Sequence, residues 1–218
     1  KESVVAAGDI VMELSRKHKA PIIPVDSEHS AIFQCLVDSF DGGHQLKPFS
    51  KILLTCSGGP FRERSDLSEV TRAEALKHPN WDMGAKITVD SATLANKCLE
   101  FFEAMHLFEA EKNQIEILIH PESIVHSMVQ FPDSSVISQM SPPDMQLPIA
   151  YAFNFPERRD CALPVLDFNN LQLNFSSPNS FLFRTLEVLD HCTSNMQNLP
   201  IVFHAVNEFE HLRLEVYL

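Results

Sequence analysis

Asp26 and Glu28 stand two residues apart at the end of a short apolar run. In an extended chain, residues i and i+2 project to the same side, so the pair would present two converging oxygen donors. Hard carboxylate oxygens of this kind suit Mg²⁺ or Mn²⁺. The same residues also make an ordinary helix start, with Asp26 or Ser27 as N-cap and Glu28 in the first turn of a helix over 30–37. A second group lies further on. Asn96 and Glu100 are spaced i,i+4 and Lys97 and Glu100 i,i+3, which places them on neighbouring parts of one helical surface. Ser91 is read as the N-terminus of that helix, where backbone N–H groups favour an anion. A phosphate held by Ser91, Asn96 and Lys97, with Glu100 reaching toward a cation, is chemically coherent; so is a solvated helix face with an incidental Lys–Glu pair.

Three weaker signals accompany these. The turn Ser57-Gly58-Gly59-Pro60 has the makings of a backbone nest for an oxyanion, and equally of a plain turn. His78, Trp81 and Met83 fall in an irregular stretch with Pro79 and Gly84. That stretch reads either as a mobile lid with a large aromatic surface or as a place where the sole Trp joins the core. His120 and His126 flank a turn between strands, as ligands or as structural histidines.

The elements that must position these groups follow from periodicity and punctuation. Residues 4–18 carry apolar side chains at helical spacing and end in a basic turn. Residues 21–25, bounded by prolines, read as a buried strand, and Asp41-Gly42-Gly43 as a loop. Strands are expected at 51–55 and 86–89, a helix at 94–110, and a three-strand meander over 115–119, 124–131 and 135–140. Residues 158–180 read as a connecting segment, and 181–192 and 200–218 as helices.

Composition narrows the function. With 218 residues, 44% hydrophobic and 21% charged, the chain is an ordinary globular protein with ample core. Its six glycines give no G-x-G-x-x-G and no G-x-x-x-x-G-K-[ST], so no standard nucleotide-binding loop is encoded. Seventeen Lys and Arg against 29 Asp and Glu give a net charge of −12, which disfavours nucleic acid as a partner. Five cysteines without a C-x-x-C pair fit free thiols in a reducing compartment. No apolar run approaches the ~20 residues that span a bilayer, so no membrane partner is expected.

Taken together, KES (1–3), PVDSEHSAIFQ (24–34), LLTCSGGPFRE (53–63), HPNWDMGAKITVDSATLANKCLE (78–100), IEILIHPESIVHSMVQF (115–131), SVISQMSPPDMQLPIAYAF (135–153) and VLDF (165–168) closely resemble the 1-deoxy-D-xylulose 5-phosphate reductoisomerase family. The resemblance implies a divalent metal (Mg²⁺, Mn²⁺ or Co²⁺) on Asp26, Glu28 and Glu100. It implies substrate contacts from Lys1, Ser27, Ser57, His78, Ser91, Asn96 and Lys97, with Trp81 and Met83 in a closing lid. Glu2 and Gly84 match positions touching NADPH, and His29 and His126 match histidines lining the site. It further implies a phosphorylated sugar substrate, a homodimer, and a bacterial cytoplasmic or plastid-type location. A glycine-fingerprinted NADPH domain is expected upstream of Lys1, so that these residues alone would lack reductase activity.

The expected architecture is α/β (α+β): a mixed sheet with helices on one face. It would comprise a catalytic domain over 1–154, whose first 20 residues connect to the upstream domain, a linker over 155–180, and a partial helical domain over 181–218. A non-catalytic binding or dimerisation module of the same fold is the alternative, and retention of the carboxylate and lysine set argues against it. The substrate domain of another nicotinamide dehydrogenase is a third reading, in which HPNWDMG and DSEH have no place.

Overall fold

The structure, a computed structural model, describes residues 1–37, 48–196 and 198–216, with side chains described as far as His211. The loop expected at Asp41-Gly42-Gly43 lies outside the described residues. The chain is of mixed α/β class and forms two compact units that interleave along the sequence. One unit comprises 1–13, 58–112 and 178–218, the other 14–57 and 113–177. Helix α1 (Glu2–His18) begins in the first and ends in the second.

The second unit is built on a four-stranded sheet of β1 (Lys51–Cys56), β2 (Ile115–Ile119), β3 (Val125–Gln130) and β4 (Val136–Met140), in the order β2-β1-β3-β4. β1 runs parallel to β2, with Ile52 opposite Ile115, and antiparallel to β3, with Ile52 opposite Val129. The three later strands form as expected, but not as a meander. β1 inserts between β2 and β3, and only β3–β4 is a hairpin. A parallel β1–β2 pair requires a long crossover, which the intervening helical stretch supplies. Helix α2 (Ser27–Leu36) crosses β3 and β4 and buries Ala31, Ile32, Phe33 and Leu36.

Helix α6 (Gln146–Asn154) was not foreseen, because Pro142, Pro143 and Pro148 mask its pattern. It packs on α2, and Phe33, Tyr151 and Phe155 form an aromatic corner with Phe33 5.2 Å from Phe155 and 6.5 Å from Tyr151. The Arg158 guanidinium lies 4.9 Å above the Tyr151 ring and donates to Gln34 at 2.7 Å. The strand expected at 21–25 is irregular chain. Pro21 and Pro24 have no N–H to give a ladder, and the segment runs straight into α2.

The first unit is helical: α3 (Arg72–Ala75), α4 (Ala85–Ala92), α5 (Ala95–Leu107), α7 (Thr185–Cys192) and α8 (Leu199–Val216). α5 is its core, with Cys98, Leu99 and Phe102 fully buried and Phe102 edge-on to Phe203 at 5.8 Å. Burying a side chain the size of Phe102 contributes about 2–3 kcal/mol. The strand expected at 86–89 is instead the body of α4. A four-residue segment with three β-branched side chains is too short to decide between strand and helix. Helical bonding wins locally, with Thr88 donating from N and Oγ1 to the Gly84 carbonyl at 3.1 and 2.9 Å. α4 ends at Thr93, and Leu94, buried with φ 61°, turns the chain into α5. Such a left-handed residue costs about 1–2 kcal/mol, which tertiary packing must offset.

Candidate active site

In the sheet unit, Asp26 caps α2. Its Oδ1 accepts the Ser27 amide at 3.0 Å, and Ser27 Oγ donates to Glu28 Oε2 at 2.7 Å. The two acids are therefore gathered by a helix N-terminus rather than by an extended strand, which corrects the i,i+2 argument. Capping does not exclude metal binding, since an ionised carboxylate offers about four acceptor sites. The N-terminal dipole also favours both negative charges here. His29 lies fully buried one turn in.

His126, on β3, is buried, with Nε2 2.9 Å from Ser141 Oγ and 3.2 Å from its carbonyl. Burial pushes its pKa down, and the negative charge of Glu28 partly opposes this. His120 is structural. Its Nε2 accepts the amides of Ile124 and Val125 at 3.2 and 3.1 Å, which requires the proton on Nδ1, 2.9 Å from the Asn174 carbonyl.

In the helical unit, one buried carboxylate gathers Asn96, Lys97 and Lys1. Asn96 Nδ2 donates to Glu100 Oε1 at 2.5 Å, Lys97 Nζ donates to Oε2, and Lys1 Nζ donates to Oε1 at 3.2 Å and to Asn96 Oδ1 at 2.6 Å. The i,i+3 and i,i+4 pairs read from spacing are thus present, but buried rather than solvated, with Glu100 at 0% and Lys97 at 2% exposure. The Lys97 and Lys1 ammonium groups and the Asn96 amide bring to this carboxylate N–H donors of the kind that also hold a phosphate.

Ser91 is not at a helix N-terminus. It sits in the last turn of α4, so the helix dipole gives an anion no help there, and its hydroxyl must act by itself. The glycine turn after β1 and Ser57 is required as drawn. Gly58 and Gly59 have φ 79° and 66°, and a Cβ on Gly59 would lie 2.6 Å from the Ser91 carbonyl.

The 77–84 stretch is irregular, as expected of a lid, with Trp81 and Met83 half-buried. His78 Nδ1 accepts the amides of Asn80 and Trp81 at 3.2 and 2.9 Å, which leaves the proton on Nε2. Burial and then the nearby Arg62 charge hold its pKa below the ordinary value. Arg62 was not singled out from sequence. Gly84 is the N-cap of α4, and a Cβ there would meet nothing within 4 Å; Glu2 is exposed at the start of α1.

These elements define a mixed α/β protein in which two acids stand at the start of α2 and a lysine-bound carboxylate stands in the second turn of α5. Comparison with known proteins makes the assignment specific. The description "1-deoxy-D-xylulose 5-phosphate reductoisomerase C-terminal domain" matches residues 22–108, and "DXP reductoisomerase C-terminal domain" matches 140–211. The 1-deoxy-D-xylulose 5-phosphate reductoisomerases of Bacteroides fragilis and Pelotomaculum thermopropionicum are 46% and 50% identical over 211 residues, each match covering 95% of this chain and 53% of the relative. A solved DOX-P reductoisomerase in complex with NADPH, fosmidomycin and magnesium matches with a TM-score of 0.81 and 41% identity, over 88% of this chain and 49% of that one. The Zymomonas mobilis enzyme in complex with NADPH matches with a TM-score of 0.84 and 38% identity, over 95% and 53%. The chain belongs to the 1-deoxy-D-xylulose 5-phosphate reductoisomerase family, and it spans about half the length of the curated relatives it matches.

Proposed function

We propose that this chain carries the metal- and substrate-binding part of a reductoisomerase. The reaction is the metal-dependent rearrangement of 1-deoxy-D-xylulose 5-phosphate and its NADPH-dependent reduction to 2-C-methyl-D-erythritol 4-phosphate, in non-mevalonate isoprenoid synthesis. The observation that supports this most directly is the buried Glu100 carboxylate with Lys1, Asn96 and Lys97 around it. A buried acid of this kind is costly unless it is paired, and the family's chemistry gives it a use.

In this reading Asp26, Glu28 and Glu100 hold Mg²⁺, Mn²⁺ or Co²⁺, and the all-oxygen donor set fits such an ion. When bound, the ion supplies Lewis-acid polarisation of the substrate oxygens, and NADPH supplies the hydride. The chain's own residues bind and orient. Lys1 supplies positive charge and a donor to the substrate. Ser91, Asn96 and Lys97, together with Ser57 and with His78 through Nε2–H, anchor the phosphate, so that its binding energy orients the reacting end. Ser27 adds a hydroxyl, and His29 and His126 line the wall. Trp81 and Met83 close over the substrate to exclude water, and Glu2 and Gly84 face the nicotinamide cofactor.

Calorimetric titration of 1-deoxy-D-xylulose 5-phosphate into the chain tests this. Binding that needs Mg²⁺ and weakens in Ser91→Ala is expected, and no binding with Mg²⁺ present overturns it. The domain division at 154 and 180, a bacterial cytoplasmic or plastid-type location, and a homodimer belong to the same reading. For the dimer, the edge strand β4 exposes Val136 and Ile137 at 48% and 45%, a surface that a second copy would cover. Sedimentation as a monomer alone would remove that element.

A further inference from the structure

We propose that Asp90 is a positioning residue for phosphate binding: held by Asn207 and His211 of α8, it fixes the C-terminal end of α4 and with it the Ser91 hydroxyl. The inference rests on the reading of Ser91 as a phosphate ligand and extends it to groups that touch neither phosphate nor metal.

The Asp90 side chain is 3% exposed. Its Oδ1 accepts from Asn207 Nδ2 at 2.8 Å and lies 2.7 Å from His211 Nε2, while Oδ2 accepts from Lys86 Nζ at 2.9 Å. Lys86 is shared with Glu208 of α8 at 2.9 Å. Burial raises the pKa of this carboxyl, but the bonds from His211, Asn207 and Lys86 and the Lys86 charge together outweigh it and hold the group below its ordinary range. An ionised acceptor needs a donor from His211, so Nε2 carries the proton.

Asp90 and Ser91 are consecutive in the last turn of α4, about 100° apart around the helix. The carboxylate is taken up by α8, and on the Ser91 side the Gly59 backbone packs so closely that a Cβ would lie 2.6 Å from the Ser91 carbonyl and 3.0 Å from Ala92 Cα. The helix end is gripped from two directions. It needs this grip, because α4 has only eight residues, no side-chain N-cap bond, and a left-handed Leu94 just beyond its end. A helix of that length is not stable alone, so its position is set by what holds it. A leucine would fill the space at Asp90; a fully bonded carboxylate adds direction, since its bonds form in one orientation only.

The test uses the 218-residue chain and inorganic phosphate, with affinity read by ³¹P NMR titration and Mg²⁺ binding read in parallel as a melting shift. Asn207→Ala combined with His211→Ala is expected to weaken phosphate about tenfold and to leave the Mg²⁺ shift unchanged. Adding the pair to Ser91→Ala is expected to cost nothing further, because both act through the same hydroxyl. Asp90→Asn, which keeps an acceptor for both α8 donors, is expected to retain phosphate affinity. Unchanged affinity in the pair, or losses that add fully to that of Ser91→Ala, overturn the positioning role while leaving Ser91 as ligand. If Ser91→Ala itself does not change phosphate binding, the reading of Ser91 falls and this inference with it.

Discussion

The Asp26 carboxylate accepts the Ser27 amide at 3.0 Å as a helix cap, and a cap requires only an oxygen acceptor, whereas affinity for a hard divalent cation rises with the ligands' negative charge. Asp26→Ala is therefore expected to lower unfolding free energy by about 1 kcal/mol, while Asp26→Asn keeps the cap and the stability; urea denaturation compares them. Gly59 allows a second test. At φ 66° and with the Ser91 carbonyl 2.6 Å from a would-be Cβ, Gly59→Ala is expected to destabilise the chain by more than ~1 kcal/mol, and an unchanged midpoint would contradict that packing. At this scale the sequence was most informative where partners are close in the chain. Asn96, Lys97 and Glu100 were legible because helical geometry ties spacing to contact. Lys1 at Glu100 and Asn207 at Asp90, 99 and 117 residues away, came into view only with the fold or the resemblance.

The first turns of α1 lie against α5 at Gly8, where a Cβ would fall 2.3 Å from the His106 ring. Gly8→Ala is expected to cost about 1–3 kcal/mol by overpacking, and His106→Ala in the same chain is expected to recover most of it. If the double variant is no better than Gly8→Ala, the ring is not the obstacle. Elements with a clear pattern were readable: α1, α2, β1, α5, β2, β3, β4, α7 and α8 all form close to where periodicity puts them. α4 and α6 were not. Residues 86–89 look like a strand because Ile87, Thr88 and Val89 favour one, and only the turn-by-turn bonding from Gly84 makes them helix. The pairing order of the sheet was hidden for a different reason: adjacency of β1 and β2 depends on the crossover between them, which no local pattern encodes.

The molecule as a whole carries half-buried histidines that folding makes harder to protonate. Burial holds His78 and His106 below the ordinary 6.5, with Arg62 adding to the effect at His78 and Asp9 opposing it at His106. The unfolded chain takes up protons that the native chain refuses, so their contribution is full above the unfolded value and is lost as pH falls through it. Melting temperature is expected to drop from about pH 7.5 to about 5.5, with a shallower slope in His106→Ala. A flat profile would contradict these burials. Among the described residues no helix is long and apolar enough to cross a membrane. Family membership, set by 46–50% identity over 95% of the chain, joins the capped acids and the lysine-bound Glu100 into one proposed centre. Titration of Mg²⁺ into the chain and into Asp26→Asn tests that centre most directly. One saturable site in the chain, weakened at least about tenfold in a variant of unchanged stability, is expected; no Mg²⁺ binding, or equal binding by the two, would contradict the assignment.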